Sequence, residues 1–441
     1  MVPVVLVFVV VQGFLLSLDL ERKGWEQIES VIPDRGIPRM NITLNGVSLE
    51  EINEGSKDTK YEGNELTVYD GRDDVFEYSD VRVKGRGNGT WIQKKKPYQI
   101  KFSHKVNMFG MGKAKKWILL ANATDVTNLR TAAAFYLEGV LGMQPALRGE
   151  FVELYVDEQY VGLYYLAQAV EIEKNLVDLK NQMGVLVELD NLYWETEKYY
   201  ETQNGDKLVL KDVKSEDVAE AAMADFLRDY NNFEQAVMEK DYEMIQELID
   251  IESFAQYYLL SEFTVNPDAY WTSFYMYRDG PNDKIHAGPG WDFDFAFANR
   301  GWGNWLGEEF YSSMRTMIRK KELMTKDAYE GMGLIATDGI DWYNVSLSLS
   351  RIMFDLMDVP EFRKEVQGIY KEKMKWRKNE LLLEVKKKAG DIFEAVFADE
   401  EKWDNGGFWE EIEIMEKWIN ERYDYFDRIY GGEVVLIEEA S

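Results

Sequence analysis

The sequence predicts an α+β protein, with a β-rich N-terminal half followed by a mainly helical C-terminal half. Three observations predict it. From residue 38 to 102, apolar and polar residues alternate between turn signals. From Asp217 onward, helical spacing takes over. Polar motifs rich in glycine and aspartate lie near the change of pattern. The chain has 441 residues, more than one typical core holds, which suits two lobes.

The elements follow in order. Residues 2–18 (VPVVLVFVVVQGFLLSL) carry no charge, and Asp19–Lys23 follow at once. Residues 1–18 read as a signal peptide or N-terminal membrane anchor, which places the protein outside the cell or anchored at its surface. No basic residue precedes the run and no small-x-small cleavage site follows it, so a buried strand or helix is the alternative. The segments ITLNGVSL, NELTVYDGRDD, SDVRVKGRG and KPYQIKF read as strands, as does Lys116–Ala121. A helix fits Asp125–Leu141, with Asp125 or Thr127 as N-cap and Gly142 as the stop. Phe151–Val156 and Tyr160–Ala167 read as a hairpin around Asp157-Glu158, and Val185–Leu189 as a further strand.

Helical spacing then marks Asp217–Tyr230, Tyr242–Ile249 and Ser253–Phe263. Short strands are predicted around Ser273–Tyr277 and Lys284–His286. After Trp305 the pattern is helical to about Tyr430. The expected division is therefore 38–195, a β-rich lobe with a glycine-rich loop, and 196–435, a helical lobe with the aspartate motifs.

Composition removes several chemistries. Lys and Arg total 51 against 80 Asp and Glu, a formal charge of -29. Such a surface repels phosphate backbones, so no nucleic-acid partner is expected, and it attracts basic ones. There is no cysteine, which excludes disulfides, thiolate nucleophiles and Cys–zinc sites. The two histidines, His104 and His286, leave almost nothing for a Ser-His-Asp triad or a multi-His metal site. The remaining carboxylates, cations, amides and hydroxyls suit Mg²⁺ and phosphate better than zinc.

Three constellations can carry such chemistry. The first is Lys84-Gly85-Arg86-Gly87-Asn88-Gly89-Thr90-Trp91. Its glycines let backbone N–H groups approach phosphate oxygens, and Arg86 can add a bidentate contact. Taken alone, an ordinary hairpin turn explains it equally well. The next strand carries Lys94, Lys95, Lys96 and Lys101, which also suits a solvated edge strand.

The second is Asn266-Pro267-Asp268, between a helix and a strand. Asp268 can accept a proton from a substrate hydroxyl or bind metal there, although an Asx turn is the commoner fate of such a tripeptide. The third is Trp291-Asp292-Phe293-Asp294-Phe295. In extended structure Asp292 and Asp294 share one side, where they are costly among aromatics unless a cation satisfies them. Mg²⁺ takes one or two carboxylates plus substrate phosphates. His286 reads as a packed strand residue.

Asp268 and Asp292 are 24 positions apart, similar to the catalytic-loop and metal-binding aspartates of protein kinases. Kinases place an Asn five residues after the first; here Ser273 stands there, and its hydroxyl can contact a metal or its water.

Together the motifs resemble the CotH (spore coat protein H) kinase family over roughly residues 38–430. The pieces, in family order, are RGNGTW, KKPYQIKF, WILLAN with Asp125 and Arg130, FVELYVDEQYVGLYYL, LVELD, NPD and WDFDFAF. The resemblance implies an atypical protein-kinase-like two-lobed fold and ATP-dependent phosphorylation of Ser or Thr in a partner protein. It implies Asp268 in the catalytic-loop place. Asp292, Asp294 and Ser273 would hold Mg²⁺ or Mn²⁺ on the ATP. Arg86, Gly87, Asn88 and Gly89 would border the triphosphate. Lys101 is the expected phosphate-contacting lysine, with Lys96 and Lys116 as rivals and Glu138 as its pairing acid. Gln168 departs from an acidic position of the family, a role that Glu171 can take over.

The acidic surface points to a basic, Ser/Thr-rich substrate. The alternative is a surface or assembly module that keeps the kinase-like fold without turnover, which Ser273 and Gln168 favour slightly. Transfer of AMP needs the same contacts. A glycoside hydrolase reading rests on the Trp-rich loop Arg300–Trp305 and the carboxylates.

Overall fold

The alternation in the first half does produce strands, and they close on themselves. The computed structural model describes residues 34–71, 74–191, 198–299, 313–317 and 349–433. The N-terminal apolar run and the loop Arg300–Trp305 lie outside these residues. Met1–Gly36 and Ile37–Ser441 form two units, and the strands and helices described below belong to the second.

Among the described residues, seven strands form a closed barrel. They are β1 (Arg39–Thr43), β2 (Tyr61–Tyr69), β3 (Val75–Gly85), β4 (Tyr98–Asn107), β5 (Lys113–Leu120), β6 (Gly149–Val156) and β7 (Gln159–Gln168). Their spatial order is β1-β2-β3-β4-β5-β7-β6. Closure comes from β1, which pairs antiparallel with β2 and parallel with β6, from Arg39↔Glu153 to Ile42↔Val156. Alternate residues fill the interior, among them Met40, Leu66, Val81, Ile100, Trp117 and Leu154. The β6–β7 hairpin turns at Asp157-Glu158, both with positive φ (48° and 64°), as a two-residue primed turn requires. It is buried on both faces, because Phe151 and Tyr165 on its outer face belong to the second core.

That second core packs around a five-stranded sheet of order β12-β11-β8-β10-β9. The strands are β8 (Val185–Leu189), β9 (Tyr199–Glu201), β10 (Lys207–Val213), β11 (Phe274–Arg278) and β12 (His286–Ala287). The helices among the described residues include α1 (Leu49–Glu54), α2 (Arg130–Leu141), α3 (Ala219–Glu239), α4 (Tyr242–Leu248), α5 (Ile251–Thr264), α6 (Ile352–Leu356), α7 (Pro360–Ile369), α8 (Lys378–Trp403) and α9 (Phe408–Tyr430). Every residue of α5 from Ser253 to Thr264 is buried, its polar members Ser253, Gln256, Ser261, Glu262 and Thr264 included. No helix among the described residues is long and apolar enough to cross a membrane.

The expected two-lobed kinase-like fold is therefore corrected, although α+β holds. A kinase-like lobe would end at about residue 195 and leave an open sheet. Here parallel pairing of β1 with β6 closes the sheet into a barrel. The second sheet takes β8 from one side of residue 195 and β9–β12 from the other. One continuous core runs from Ile37 to Tyr430 across that division. Strands β9 and β10 were also not expected, because only β10 has even a short apolar stretch.

Helix α8 fastens onto the barrel through a buried ion pair. Lys95 Nζ donates to Asp399 Oδ2 at 2.8 Å and to the Leu163 carbonyl at 2.6 Å. The two side chains are 3% and 1% exposed. Asp399 Oδ1 accepts the Leu163 N–H at 2.8 Å, and Trp403 Nε1 donates to the Val161 carbonyl at 3.0 Å. Gly162 permits this approach, since its φ is +152° and a Cβ there would lie 2.6 Å from Asp399 Oδ1.

Candidate active site

Helix α5 ends where Val265 turns into the left-handed region (φ 49°), starting a short loop. A single 3₁₀ turn, Pro267–Tyr270, carries Asp268, and Ser273 (φ 56°) ends the loop before β11. Asp292, on a neighbouring segment, is also left-handed (φ 62°). Three non-glycine residues in this region around one site mark stored strain, on the order of 1–3 kcal/mol each. The surroundings hold them. Asn266 Nδ2 donates to the Asp292 carbonyl at 2.9 Å, and Ser273 N–H to Glu188 Oε1 at 3.1 Å. Ser273 Oγ lies 3.4 Å from Asp292 Oδ2.

The loop faces a cleft of about 350 Å³. One wall is the glycine-rich turn after β3, with Arg86, Gly87, Asn88 and Gly89. The other carries Asp268, Ser273, Asp292 and Asp294, with Glu188 of β8 and Asp190 just past its end. A wider hollow of about 990 Å³, bordered by Tyr136, Gln144, Arg148 and Glu380, holds none of these carboxylates.

The turn needs its glycine at position 87. Its φ is +78°, and a Cβ would sit 2.0 Å from Thr90 Oγ1. Cations crowd the same wall. Lys57 Nζ donates to Asn88 Oδ1. Lys84 lies 3.5 Å from Asp58. On the side of the carboxylates, Lys211 of β10 pairs with Glu188 at 2.8 Å. The Arg86 guanidinium stacks over Trp291 at 5.3 Å.

The opposite wall is electrostatically loaded. Burial pushes the Asp268 carboxyl well above the usual carboxylate range, and repulsion from Asp292 and Asp294 adds to it. Burial likewise raises Asp292, against the pull of Arg86 and Ser273. Asp294 is pushed up to about 8 by burial and then by Asp292 and Asp125. Carboxylates so placed favour a positive partner.

Among the described residues, no cluster of three or more His, Asp and Glu side chains is spaced to hold a metal ion by itself. A Mg²⁺-like ion needs less, one or two carboxylates with phosphate oxygens completing the shell. The raised, mutually repelling pair Asp292 and Asp294 fits that donor set.

The structure thus gathers Asp268, Ser273, Asp292, Asp294, Arg86, Gly87, Asn88 and Gly89 around one cleft. The aspartates do so without the extended strand expected at 291–295, where the chain runs irregularly into a turn. Lys101 does not line the cleft. It lies two residues past Gln99 on β4, opposite Arg82 and Lys116. Lys96 donates to the Gln93 carbonyl at 3.0 Å, and Lys116 pairs with Glu171 at 2.7 Å. Glu138 pairs with no lysine here; its carboxylate accepts the Leu147 N–H at 2.7 Å. Gln168 accepts from Asn175 at 3.1 Å, outside the cleft. His286 stacks on Tyr277 at 5.0 Å.

Sequence reasoning missed Lys57, Lys211, Glu188 and Asp190 as cleft residues. Glu188 and Asp190 alternate at the end of the buried strand VLVELD, a signal that was legible. Lys211 sits on β10, an unexpected strand. Lys57 arrives from the α1–β2 connection, whose course has no local signal.

With this geometry in place, comparison with protein-family models gives one match, described as CotH kinase protein, over residues 81–426. No curated protein matches the chain.

Proposed function

We propose, for a chain that belongs to the CotH kinase protein family and is kinase-like at that level, that it transfers the terminal phosphoryl group of ATP to a Ser or Thr hydroxyl of a partner protein. The observation that carries this reading is the opposition of two walls. Three largely buried carboxylates with raised pKa values face a glycine-rich turn bordered by Lys57, Lys84 and Arg86.

Each wall has its task. Backbone N–H groups of the turn at Gly87–Gly89, with Arg86 and Lys84, take the phosphate oxygens. Asp292 and Asp294, with the Ser273 hydroxyl nearby, would hold a divalent cation. That ion, when bound, neutralises charge on the phosphates and draws both aspartates back to the ionised state. Asp268 accepts the proton as the acceptor oxygen bonds to the γ-phosphorus and the bond to the ADP oxygen breaks. Its buried setting keeps water from competing.

The acceptor enters past Glu188 and Asp190 on a chain of charge -29, which favours a basic, Ser/Thr-rich segment. The uncharged run at residues 2–18 supports secretion or anchoring at the cell surface.

The test is ATP-dependent phosphate incorporation by protein lacking residues 1–18. It uses Mg²⁺ or Mn²⁺, a basic Ser/Thr-rich acceptor, and Asp268→Ala and Asp292→Ala alongside. Asp268→Ala is expected to lower turnover ~10²–10⁴-fold with ATP binding retained. Asp292→Ala is expected to lose metal-dependent ATP binding as well. Absence of both transfer and metal-dependent ATP binding in the unsubstituted protein would leave a non-catalytic binding module. Transfer of AMP instead would show as label from the α-phosphate.

A further inference from the structure

Two consecutive carbonyls of the Asp268 loop are pinned from outside it. The Asn191 N–H donates to the Trp271 carbonyl at 2.6 Å, and the Ser350 N–H to the Tyr270 carbonyl at 2.6 Å. Asn191 lies just past β8 and Ser350 just before α6, so the sequence holds them far apart. One side chain joins them. Asp206, just before β10 and 8% exposed, accepts from Ser350 Oγ at 2.5 Å and from Asn191 Nδ2 at 2.9 Å. Asn191 is fixed further by the Lys207 N–H, which its Oδ1 accepts at 2.8 Å.

We infer that Asp206 is a positioning residue for the loop carrying Asp268, tying Asn191 and Ser350 together so that they orient the Tyr270 and Trp271 peptides. The inference rests on the proposed role of Asp268 and extends it. Asp268 is coupled tightly to those peptides. Its carbonyl accepts the Trp271 and Thr272 N–H groups at 3.2 and 3.0 Å, so the whole turn moves with them. A carboxylate suits the brace because its two oxygens accept from two donors at once. An amide can replace it, since Oδ1 still accepts from Asn191 while Nδ2 donates to Ser350 Oγ. Alanine loses both arms. A misplaced general base lowers turnover without weakening nucleotide binding, because the phosphate contacts lie on the opposite wall.

The test compares Asp206→Ala, Asp206→Asn and Ser350→Ala in the phosphate-incorporation assay and in peptide-resolved hydrogen exchange. Asp206→Ala is expected to lower kcat at least ~30-fold with the ATP KM within ~2-fold, and Asp206→Asn to recover kcat to within ~3-fold. Peptides covering 266–273 should exchange at least ~10-fold faster in Asp206→Ala, with β6–β7 peptides unchanged. Should Asp206→Ala fail to fold, Ser350→Ala, which removes one arm, is expected to show the same pattern at smaller amplitude. Unchanged exchange over 266–273 would overturn the inference, as would exchange rising equally in the barrel or a loss confined to KM. If the unsubstituted protein transfers no phosphate, the kinase reading falls, and the exchange pattern alone decides whether Asp206 braces the loop.

Discussion

Replacing Asp294 by Asn removes one of three clustered carboxylates while keeping the side-chain shape. Burial and the Asp292 and Asp125 charges push Asp294 up to about 8. An unfolded aspartate titrates near 3.9. A carboxyl raised on folding contributes fully to stability below the unfolded value, and that contribution is lost as pH rises toward the folded one. At pH 7 in chelator, the wild-type protein has therefore crossed about three pH units of loss. At ~1.4 kcal/mol per unit, this is on the order of 4 kcal/mol. Asn does not titrate. With an unfolding entropy of ~2.1 cal/mol/K per residue over roughly 400 residues, Asp294→Asn should raise Tm by about 5 °C at pH 7. At pH 4.5 the gain should shrink to about 1 °C. Adding Mg²⁺ and ATP should stabilise the wild type more than the variant and narrow the gap. Calorimetry in chelator at the two pH values is the assay. A variant no more stable than wild type at pH 7, or one whose gain persists at pH 4.5, would refute the account of this wall.

Other outcomes follow from the same geometry. Asp399→Ala strands the Lys95 ammonium in the interior and should cost about 3–5 kcal/mol in urea unfolding. Gly87→Ala places a Cβ 2.0 Å from Thr90 Oγ1 at φ +78°; it should raise the ATP KM at least ~10-fold, for a local cost of about 1–2 kcal/mol. Lys101→Ala should leave the ATP KM within ~2-fold, whereas Lys84→Ala should raise it ~10-fold by steady-state kinetics.

Much of this was legible locally. Alternation in KPYQIKF gave a strand, whereas of ITLNGVSL only Ile42 and Thr43 lie in β1 and Leu49 already opens α1; the apolar residues of SFAQYYLLSEF gave a buried helix. The aspartate motifs were found because carboxylates among Trp and Phe are costly without a purpose. Barrel closure was not legible, since a parallel pair between residues 39–42 and 153–156 leaves no mark on either segment. The pairing across the two halves was not legible for the same reason: β8 and β11 look like ends of separate halves, yet they pair along their length. Lys101 was expected to contact phosphate through the family resemblance, but the cleft reaches Gln99 and stops two residues short of it. Asp125 was expected to cap α2, and it instead orders the preceding turn by accepting the Thr127 and Arg130 N–H groups at 3.0 Å each.

The bond between Lys95 and Asp399 also sets a clock on synthesis. Lys95 leaves the ribosome 304 positions before its partner. At ~5–20 residues per second, that delay is roughly 15–60 s. During it, Lys95 can reach the Leu163 carbonyl but has no counter-ion, and without α8 its ammonium stays open to water. A nascent chain that stops before α8 therefore lacks the ion pair that fixes the segment just after the glycine-rich turn. Incomplete products should lack this fastening, and the complete fold would begin only with chains translated nearly to their end.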